Sequence, residues 1–302
     1  MRNAFIEELV SAAELNDKIC LIVGDLGYGV VEPFAKRFPN RFFNAGVAEQ
    51  NMMGLSSGLA SEGFHVFVYS IANFPTFRCA EQIRNDVDYH NLPVTIVSVG
   101  GGLAYGRLGY SHHAIQDYAL MRIMPNMLIA SPGDPQETRA CMRYLLENPQ
   151  PSYLRLGKSG ELNIHKEVPN ITPGEWFTIN NGDQNTITFL TTGSTLNYAN
   201  QFLKKLAKES YTLKSLPLWG MKYKNMQEIQ IEQSNKIVTI EDHLKDGGFG
   251  SWLLESISNG SGLFSKISIH ALDSKVCGLV ADQEILNYEG GLNDSLFQSY
   301  FL

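Results

Sequence analysis

A single carboxylate, Glu49, opens a stretch that carries no further charge until Glu62. Small and apolar side chains dominate between them, and this pattern predicts a buried helix over residues 46–60, with Glu49 close to its start. Burial without a cationic partner favours the protonated acid. Such an acid in a dry site can give a proton to a ring nitrogen and take it back. The alternative is an ordinary glutamate in a first helical turn, where the helix dipole favours it.

Two adjacent histidines, His112 and His113, are the second candidate for chemistry. Histidine titrates near neutral pH and therefore suits proton transfer between intermediates. Paired histidines on a loop also occur as surface or hinge residues, so the residues alone leave both roles open. Other candidates lie at or near the ends of predicted strands: Asp25, Ile71, Phe74, Phe77 and Arg155. An aromatic or aliphatic side chain there is a core residue by default, and Asp25 could equally cap a helix or a turn.

The composition limits the classes of protein that need to be considered. The chain has 302 residues, enough for two domains, with 44% hydrophobic and 18% charged residues. A net charge of -7 gives no electrostatic footprint for nucleic acid. No apolar run approaches the ~20 residues of a membrane span, and acids stand where a signal peptide needs an apolar core. The four cysteines form no CxxC pair, which favours reduced, mostly buried thiols in a cytoplasmic protein.

Strand and helix patterns alternate along the chain, which predicts an α/β fold of two consecutive domains, each a mainly parallel sheet flanked by helices. The first domain is expected over residues 1–160 and the second over 184–302, with a linker and turn over 161–183. The predicted strands of the first domain lie at 19–23, 41–44, 65–69, 93–99, 127–130 and 153–156. Those of the second lie at 186–191, 211–217, 236–240 and 266–272.

Residues 42–60, FFNAGVAEQNMMGLSSGLA, resemble the pyrimidine-binding segment of the transketolase family of thiamine diphosphate enzymes. In that family the matching glutamate hydrogen-bonds the aminopyrimidine ring. It promotes the imino tautomer, whose nitrogen removes the thiazolium proton. The resemblance therefore implies that Glu49 is catalytic and binds the cofactor. It also implies cofactor contacts for Asp25 and for a pyrimidine wall formed by Ile71, Phe74 and Phe77, of which Phe74 matches the family best.

The histidine segment, residues 109–117, is similar to a second pattern of the same family. That pattern is Gly-x-(Ser/Thr)-His with an acid five residues later, then Arg and Pro-Asn, here at 122 and 125–126. The matching histidine contacts donor and acceptor hydroxyls, which implies a catalytic and substrate-binding role for His112. His113 stands where relatives often have Gln and is assigned to the substrate as well. Arg155 matches an arginine that can face substrate phosphate or carboxylate.

Residues 238–251, VTIEDHLKDGGFGS, resemble the C-terminal domain of transketolases. Their glycines can serve a tight turn and close helix packing. A glycine-rich turn at a helix start can also hold phosphate. Packing is the favoured interpretation, because the C-terminal domain of this family does not hold the cofactor.

The metal-binding pattern of thiamine diphosphate enzymes, Gly-Asp-Gly followed by Asn roughly thirty residues later, is missing from this sequence. No cluster of oxygen ligands replaces it, so no metal ligands are assigned to this chain. The resemblance therefore implies the C-terminal subunit of a split enzyme. A partner subunit would carry the diphosphate and magnesium site, the cofactor would lie at the interface, and two copies of each chain would form a heterotetramer.

Three departures from the family pattern affect the substrate. Gly100, Leu108 and Gly29 replace a His, an Asp and a Ser that hold polar groups of the substrate in common transketolases. Burying a phosphate without donors is costly. We therefore expect two-carbon ketol transfer between sugar-type substrates with a wider or less charged acceptor, such as a nucleotide-linked or deoxy sugar or a keto acid. The alternatives are a beta subunit of a 2-oxo acid dehydrogenase and a non-catalytic assembly subunit.

Overall fold

A computed structural model describes residues 1–158, 160–183, 186–206, 210–298 and 300 of the chain. It contains two β-sheets, and helices flank both of them. The two mainly parallel sheets confirm the predicted α/β class.

The first sheet has seven strands in the order β10-β5-β6-β4-β3-β1-β2. All pairings in it are parallel except that between β5 and β10. The strands are β1 (Ile19–Val23), β2 (Phe42–Asn44), β3 (His65–Ile71), β4 (Val94–Val99), β5 (Leu128–Ala130), β6 (Ser152–Leu156) and β10 (Leu218–Trp219).

Helices cover both faces of this sheet. They are α1 (Arg2–Leu15), α2 (Glu32–Arg37), α3 (Glu49–Ser61), α4 (Phe74–Phe77), α5 (Ala80–Gln82), α6 (Asp117–Met121) and α7 (Pro135–Glu147). A π-helix over Ile83–Asp88 continues α5. One apolar cluster joins α3 and the π-helix to one face of the sheet, and another joins α1, α2 and α7 to the other face. Burial on both faces explains why β1, β4 and β6 are wholly buried.

The second sheet has five strands in the order β12-β11-β8-β9-β7, and only the β7–β9 pair is antiparallel. Its strands are β7 (Phe177–Asn180), β8 (Ile187–Thr191), β9 (Thr212–Ser215), β11 (Lys236–Leu244) and β12 (Ile267–Leu272). The accompanying helices are α8 (Thr195–Leu206), α9 (Gln227–Glu232), α10 (Phe249–Leu254), α11 (Gln283–Glu289) and α12 (Asp294–Gln298). The sequence pattern predicts that α8 runs from Thr195 to Lys208, and this predicted end lies outside the described residues.

Two strands differ from the sequence-based expectation. The segment 161–183, expected to be a linker and turn, contains β7, which pairs with β9 of the second sheet. Leu218 and Trp219 form β10, which crosses back to pair with β5 of the first sheet. The Trp219 indole then donates a hydrogen bond of 3.1 Å to Thr192 Oγ1, so this short strand joins the two sheets. The domain boundaries themselves stay a prediction.

All four cysteines are unpaired, and Cys20, Cys79 and Cys141 are buried, as the sequence predicts for reduced structural thiols. Within the part of the chain that the structure describes, no helix is long and apolar enough to cross a bilayer.

Candidate active site

The carboxyl ends of β1, β2 and β3 meet at one edge of the first sheet, where ligands commonly bind in open α/β folds. Asp25 follows β1 with a left-handed backbone (φ +55°). Its amide donates to Asn44 Oδ1 at 3.1 Å, and the Asn44 amide group donates to Asp25 Oδ1 at 3.0 Å. The bonds from Asn44 and from the Tyr28 hydroxyl lower the pKa of the exposed Asp25 carboxyl. Asp25 is therefore a fixed, exposed anion at this edge.

Glu49 is the first residue of α3 and is buried, with only 4% of its surface exposed. The expectation of a buried carboxylate at the start of this helix is confirmed. The expectation that it lacks a cationic partner is wrong, because Arg78 Nη1 lies 2.9 Å from Glu49 Oε1. No described residue donates a hydrogen bond to Glu49 Oε2. Glu49 Oε1 thus forms an ion pair with Arg78, whereas Glu49 Oε2 accepts no hydrogen bond from a described residue.

Arg78 joins three of the predicted site residues, although no motif in the sequence marked it. Its guanidinium carbon lies 4.0 Å from the centre of the Phe74 ring, in a cation–π contact. Phe74 in turn meets the His112 ring edge-on, with 5.2 Å between the ring centres. Glu49, Arg78, Phe74 and His112 therefore form a continuous row of contacts. In the sequence, the position of Arg78 directly after Phe77 is the one feature that could have indicated a role for Arg78 in the site.

His112 stands on a short 3-10 turn after β4 and is partly exposed. Its Nδ1 lies 3.0 Å from the Ser111 hydroxyl. Desolvation, together with the positive charge of Arg78 and the neighbouring His113, lowers the pKa of the His112 imidazole. A neutral imidazole that is still reachable from solvent can take up a proton.

An open pocket of about 420 Å³ lies beside this row. Its lining includes Phe74, Phe77, Arg78, Tyr110 and Ser111. Phe77 is 48% exposed, which is high for a large aromatic side chain. The structure therefore brings Phe74 and Phe77 together with Arg78 in a pocket next to His112, and the role of these aromatic side chains as a wall for the cofactor ring stays a prediction. Ile71 ends β3 at the same edge and is half-buried.

The two remaining predicted substrate residues are buried in protein contacts, and this corrects their assignment. His113 is fully buried, with Nε2 3.2 Å from the Gly106 carbonyl. Arg155 is also buried: its Nε donates to Asp117 Oδ2 at 2.7 Å and its Nη1 to Asp242 Oδ1 at 2.6 Å. Its Nη2 donates to the Ala114 carbonyl at 2.8 Å. All three guanidinium nitrogens are occupied, so Arg155 does not face a substrate anion.

The glycine turn of residues 247–250 is filled by the chain's own carboxylate. Glu241 accepts hydrogen bonds from the amides of Phe249 at 2.5 Å and Gly250 at 2.9 Å. A Cβ added to Gly248 would lie 2.1 Å from Glu241 Oε2. Since the start of α10 already carries a carboxylate, this turn is a packing element, and that interpretation of the glycines is confirmed.

Two of the three departures from the family pattern, Gly100 and Gly29, have a local explanation, and nothing in the structure explains the third, Leu108. A Cβ at Gly100 would come within 2.1 Å of the Tyr105 ring, so Tyr105 fills the space that a larger side chain would need. The Gly29 amide donates to Glu32 Oε1 at 2.7 Å, which places an acid there. Leu108 is exposed.

These residues fit the pyrimidine end of thiamine diphosphate. The undonated Oε2 of Glu49 is available to a ring nitrogen, and Phe74 offers an aromatic ring beside it. The fit does not extend to a metal: within the described ranges no group of three or more His, Cys, Asp or Glu could hold an ion.

Comparison with known proteins agrees with this geometry. Residues 1–160 match the model of the transketolase pyrimidine-binding domain, and residues 178–273 match that of the transketolase C-terminal domain. The chain belongs to the transketolase family. It is 32% identical to an apulose-4-phosphate transketolase subunit of Phocaeicola vulgatus, over 85% of this chain and 83% of that protein. It is also 32% identical to a putative transketolase C-terminal section of Methanocaldococcus jannaschii, over 96% of this chain and 92% of that one.

The transketolase fold is matched in a solved structure described as a split gene transketolase, inactive beta4 tetramer. The two share 30% sequence identity and a TM-score of 0.83, over 99% of this chain and 97% of the other. The fold of the two sheets and their helices therefore matches that of a known transketolase structure.

Proposed function

We propose that this chain supplies the pyrimidine side of a thiamine diphosphate site in a split transketolase-like enzyme. The enzyme transfers a two-carbon ketol unit, or a related acyl-anion unit, between sugar-type substrates. The observation that carries the proposal is the buried Glu49 carboxylate, whose Oε2 has no donor among the described residues and which lies in one row with Phe74 and His112. The cofactor, when bound, supplies the carbon nucleophile.

Each of the site residues then has a separate role in the reaction. Glu49 holds a proton at the aminopyrimidine nitrogen and takes it back. Phe74 and Phe77 pack on the ring and exclude water. His112, whose pKa is lowered, accepts and returns protons at substrate hydroxyls. Asp25, held by its hydrogen bonds with Asn44 at the same edge of the first sheet, contacts the cofactor.

A second, different chain completes the site in this proposal. Two features support it: the Phocaeicola relative is named as one subunit of its transketolase, and the solved split-gene relative is described as an inactive tetramer of one chain. We propose that the partner holds the diphosphate and magnesium. The active form is then a heterotetramer of two copies of each chain in the cytoplasm.

Co-purification followed by native mass measurement tests this composition. The expected mass is that of two copies of each chain with bound thiamine diphosphate and magnesium. The chain alone should bind the cofactor weakly and show no turnover. Tight binding of thiamine diphosphate and magnesium by the isolated chain would contradict the proposal.

The identity of the acceptor substrate depends on the residues that replace polar groups of the family pattern. Gly100, Leu108 and Gly29 favour an acceptor that is wider or less charged than a common pentose phosphate, and the burial of Arg155 removes a further anion contact. The name of the Phocaeicola relative instead indicates a phosphorylated sugar for that protein. Assays of the complex with matched phosphorylated and unphosphorylated aldoses decide between the two. Ordinary transketolase rates with xylulose 5-phosphate and ribose 5-phosphate would defeat the hypothesis of a less charged acceptor.

A further inference from the structure

Residues 100–116, here called the active-site loop, carry His112 and are fixed at both ends. Gly102 and Ala114 pair with each other through two backbone hydrogen bonds of 2.9 and 2.8 Å, which close the loop. From the side of the pocket, Asn73 Nδ2 donates to the His113 carbonyl at 2.6 Å. The paired residues Gly102 and Ala114 are here called the loop base. The position of His112 therefore depends on the contacts that hold this loop base.

Arg155 of β6 holds the base from inside the first sheet. It donates to the Ala114 carbonyl at 2.8 Å and to the Asp117 carboxylate at 2.7 Å. The Tyr153 hydroxyl donates to the same Asp117 carboxylate at 2.6 Å. Charge-assisted hydrogen bonds such as these are short and directional, so they fix where the loop leaves the sheet.

Asp242, near the end of β11 in the second sheet, fixes Arg155 in turn. Its Oδ1 accepts from Arg155 Nη1 at 2.6 Å, and its Oδ2 accepts from the Ser194 hydroxyl at 2.8 Å. The contact with the loop is close, since a Cβ added to Gly102 would lie 2.3 Å from Asp242 Oδ2. Nearby, the Leu244 amide donates to the Ile115 carbonyl at 3.0 Å. Residues of β11 in the second sheet therefore contact both ends of the loop, at Gly102 and at Ile115.

We propose that Asp242, acting through Arg155, is a positioning residue that holds His112 in register for the reaction. The second sheet, which carries none of the residues assigned to the cofactor, then contributes to catalysis by fixing the geometry of the loop. A misplacement of about 1 Å in an active site can cost about 10²-fold in rate. The inference rests on the proposed function for the role of His112, whereas the fixed position of the loop does not.

Two variants loosen the loop base in different ways. Asp242→Asn keeps the shape of the side chain and removes its charge. Gly102→Ala inserts a methyl group against the Asp242 carboxylate at a left-handed position (φ +64°) without removing any charge. Hydrogen exchange followed by mass spectrometry on the full chain should show residues 100–116 exchanging at least tenfold faster in both variants. Exchange in α3 should be unchanged.

Steady-state kinetics on the co-purified complex provide a second test of the positioning role of Asp242. For Asp242→Asn we expect kcat to fall at least tenfold, while the affinity for thiamine diphosphate stays within twofold. Glu255→Gln is the matched control, because Glu255 pairs across the same interface with Arg122 at 2.7 Å but does not touch the loop. Its kcat should stay within twofold of the unmodified complex.

Three results would overturn the inference: unchanged exchange in the loop, a uniform rise in exchange across the whole chain, or an unchanged kcat in Asp242→Asn. Absence of ketol transfer in the unmodified complex would instead defeat the proposed function. The exchange measurement on the loop would still decide whether Asp242 fixes its position.

Discussion

The guanidinium of Arg78 lies 2.9 Å from the buried carboxylate of Glu49. The same guanidinium lies over the ring of Phe74. One cation therefore touches both the acid and the aromatic ring assigned to the cofactor. Because the Arg78 side chain is 46% exposed, the ion pair contributes at most about 1 kcal/mol to folding. Its main effect is electrostatic and acts on the neighbouring groups of the site.

Arg78→Met should raise the pKa of His112 towards its ordinary value. Desolvation is the largest cause of the lowered pKa and remains in the variant, but the repulsion from Arg78 is removed. The pH dependence of His112 modification by diethyl pyrocarbonate, resolved by peptide mass spectrometry, measures the change. The control is Arg84→Met, since Arg84 bonds the exposed Asn85. An unchanged His112 pKa in Arg78→Met would show that this charge does not reach the imidazole.

Glu49→Gln should reduce kcat of the complex by about 10²-fold or more while leaving the fold intact. The amide fills the same space at the start of α3 but cannot exchange a proton with a ring nitrogen. Steady-state kinetics and circular dichroism measure the two properties. Glu62→Gln, an exposed change just after the same helix, should leave kcat unchanged. Equal activity of Glu49→Gln and the unmodified complex would point to a non-catalytic assembly role for the chain.

The sequence predicted the parts of the fold and site that depend on local pattern. An apolar run of five residues marked β1, a run rich in β-branched residues marked β4, and the uncharged run after Glu49 marked α3. Two predicted site residues that the structure brings together, Phe74 and His112, follow adjacent parallel strands, whose carboxyl ends must meet at one edge.

Long-range partners could not be predicted in this way. Arg155 stands in an apolar strand, and nothing near it in the sequence shows that Asp242, 87 residues later, neutralises it. The same holds for β10, whose two residues pair with β5 although they lie among segments of the second sheet. Arg78 was missed because an arginine after an aromatic residue is not a motif. Its meaning appears only when Glu49, 29 residues earlier, is folded against it.

Arg155→Lys should destabilise the chain by about 3 kcal/mol, because the single ammonium of lysine lacks the planar fork that reaches two buried carboxylates and a carbonyl in different directions. Urea unfolding measures the free energy. Arg143→Lys is the control: Arg143 makes a comparable pair with Glu8, but it is largely exposed and its replacement should cost less than about 1 kcal/mol. Unchanged stability together with a raised KM only for phosphorylated substrates would restore a substrate role for Arg155.

The contribution of Glu241 to the stability of the chain should fall as the pH rises from about 5 to about 8, and Glu241→Gln should remove this contribution from the slope of stability against pH. Burial raises the pKa of Glu241 to about 8 from its ordinary value of 4.5. Between these values the folded chain binds more protons than the unfolded chain, so a higher pH favours unfolding. Burial also raises the pKa of Glu137, to about 7, so part of the slope should remain.

Thermal midpoints between pH 5 and 9 measure this slope, with Glu255→Gln as the control of opposite sign. A hydrogen bond from Arg122 contributes most to lowering the pKa of Glu255 to about 2. The stabilisation by Glu255 is therefore present above its ordinary value and is lost only as the pH falls through about 2. Its replacement should leave the slope above pH 5 unaltered. An identical slope in Glu241→Gln and the unmodified chain would contradict the assignment.

The most direct measurement is a cryo-EM structure of the co-purified complex with thiamine diphosphate bound. We expect a Glu49 oxygen to lie about 2.6–3.2 Å from a nitrogen of the aminopyrimidine ring, at an interface between this chain and its partner. A cofactor held entirely within the partner, with Glu49 still paired to Arg78 and distant from the ring, would contradict the proposed role of Glu49.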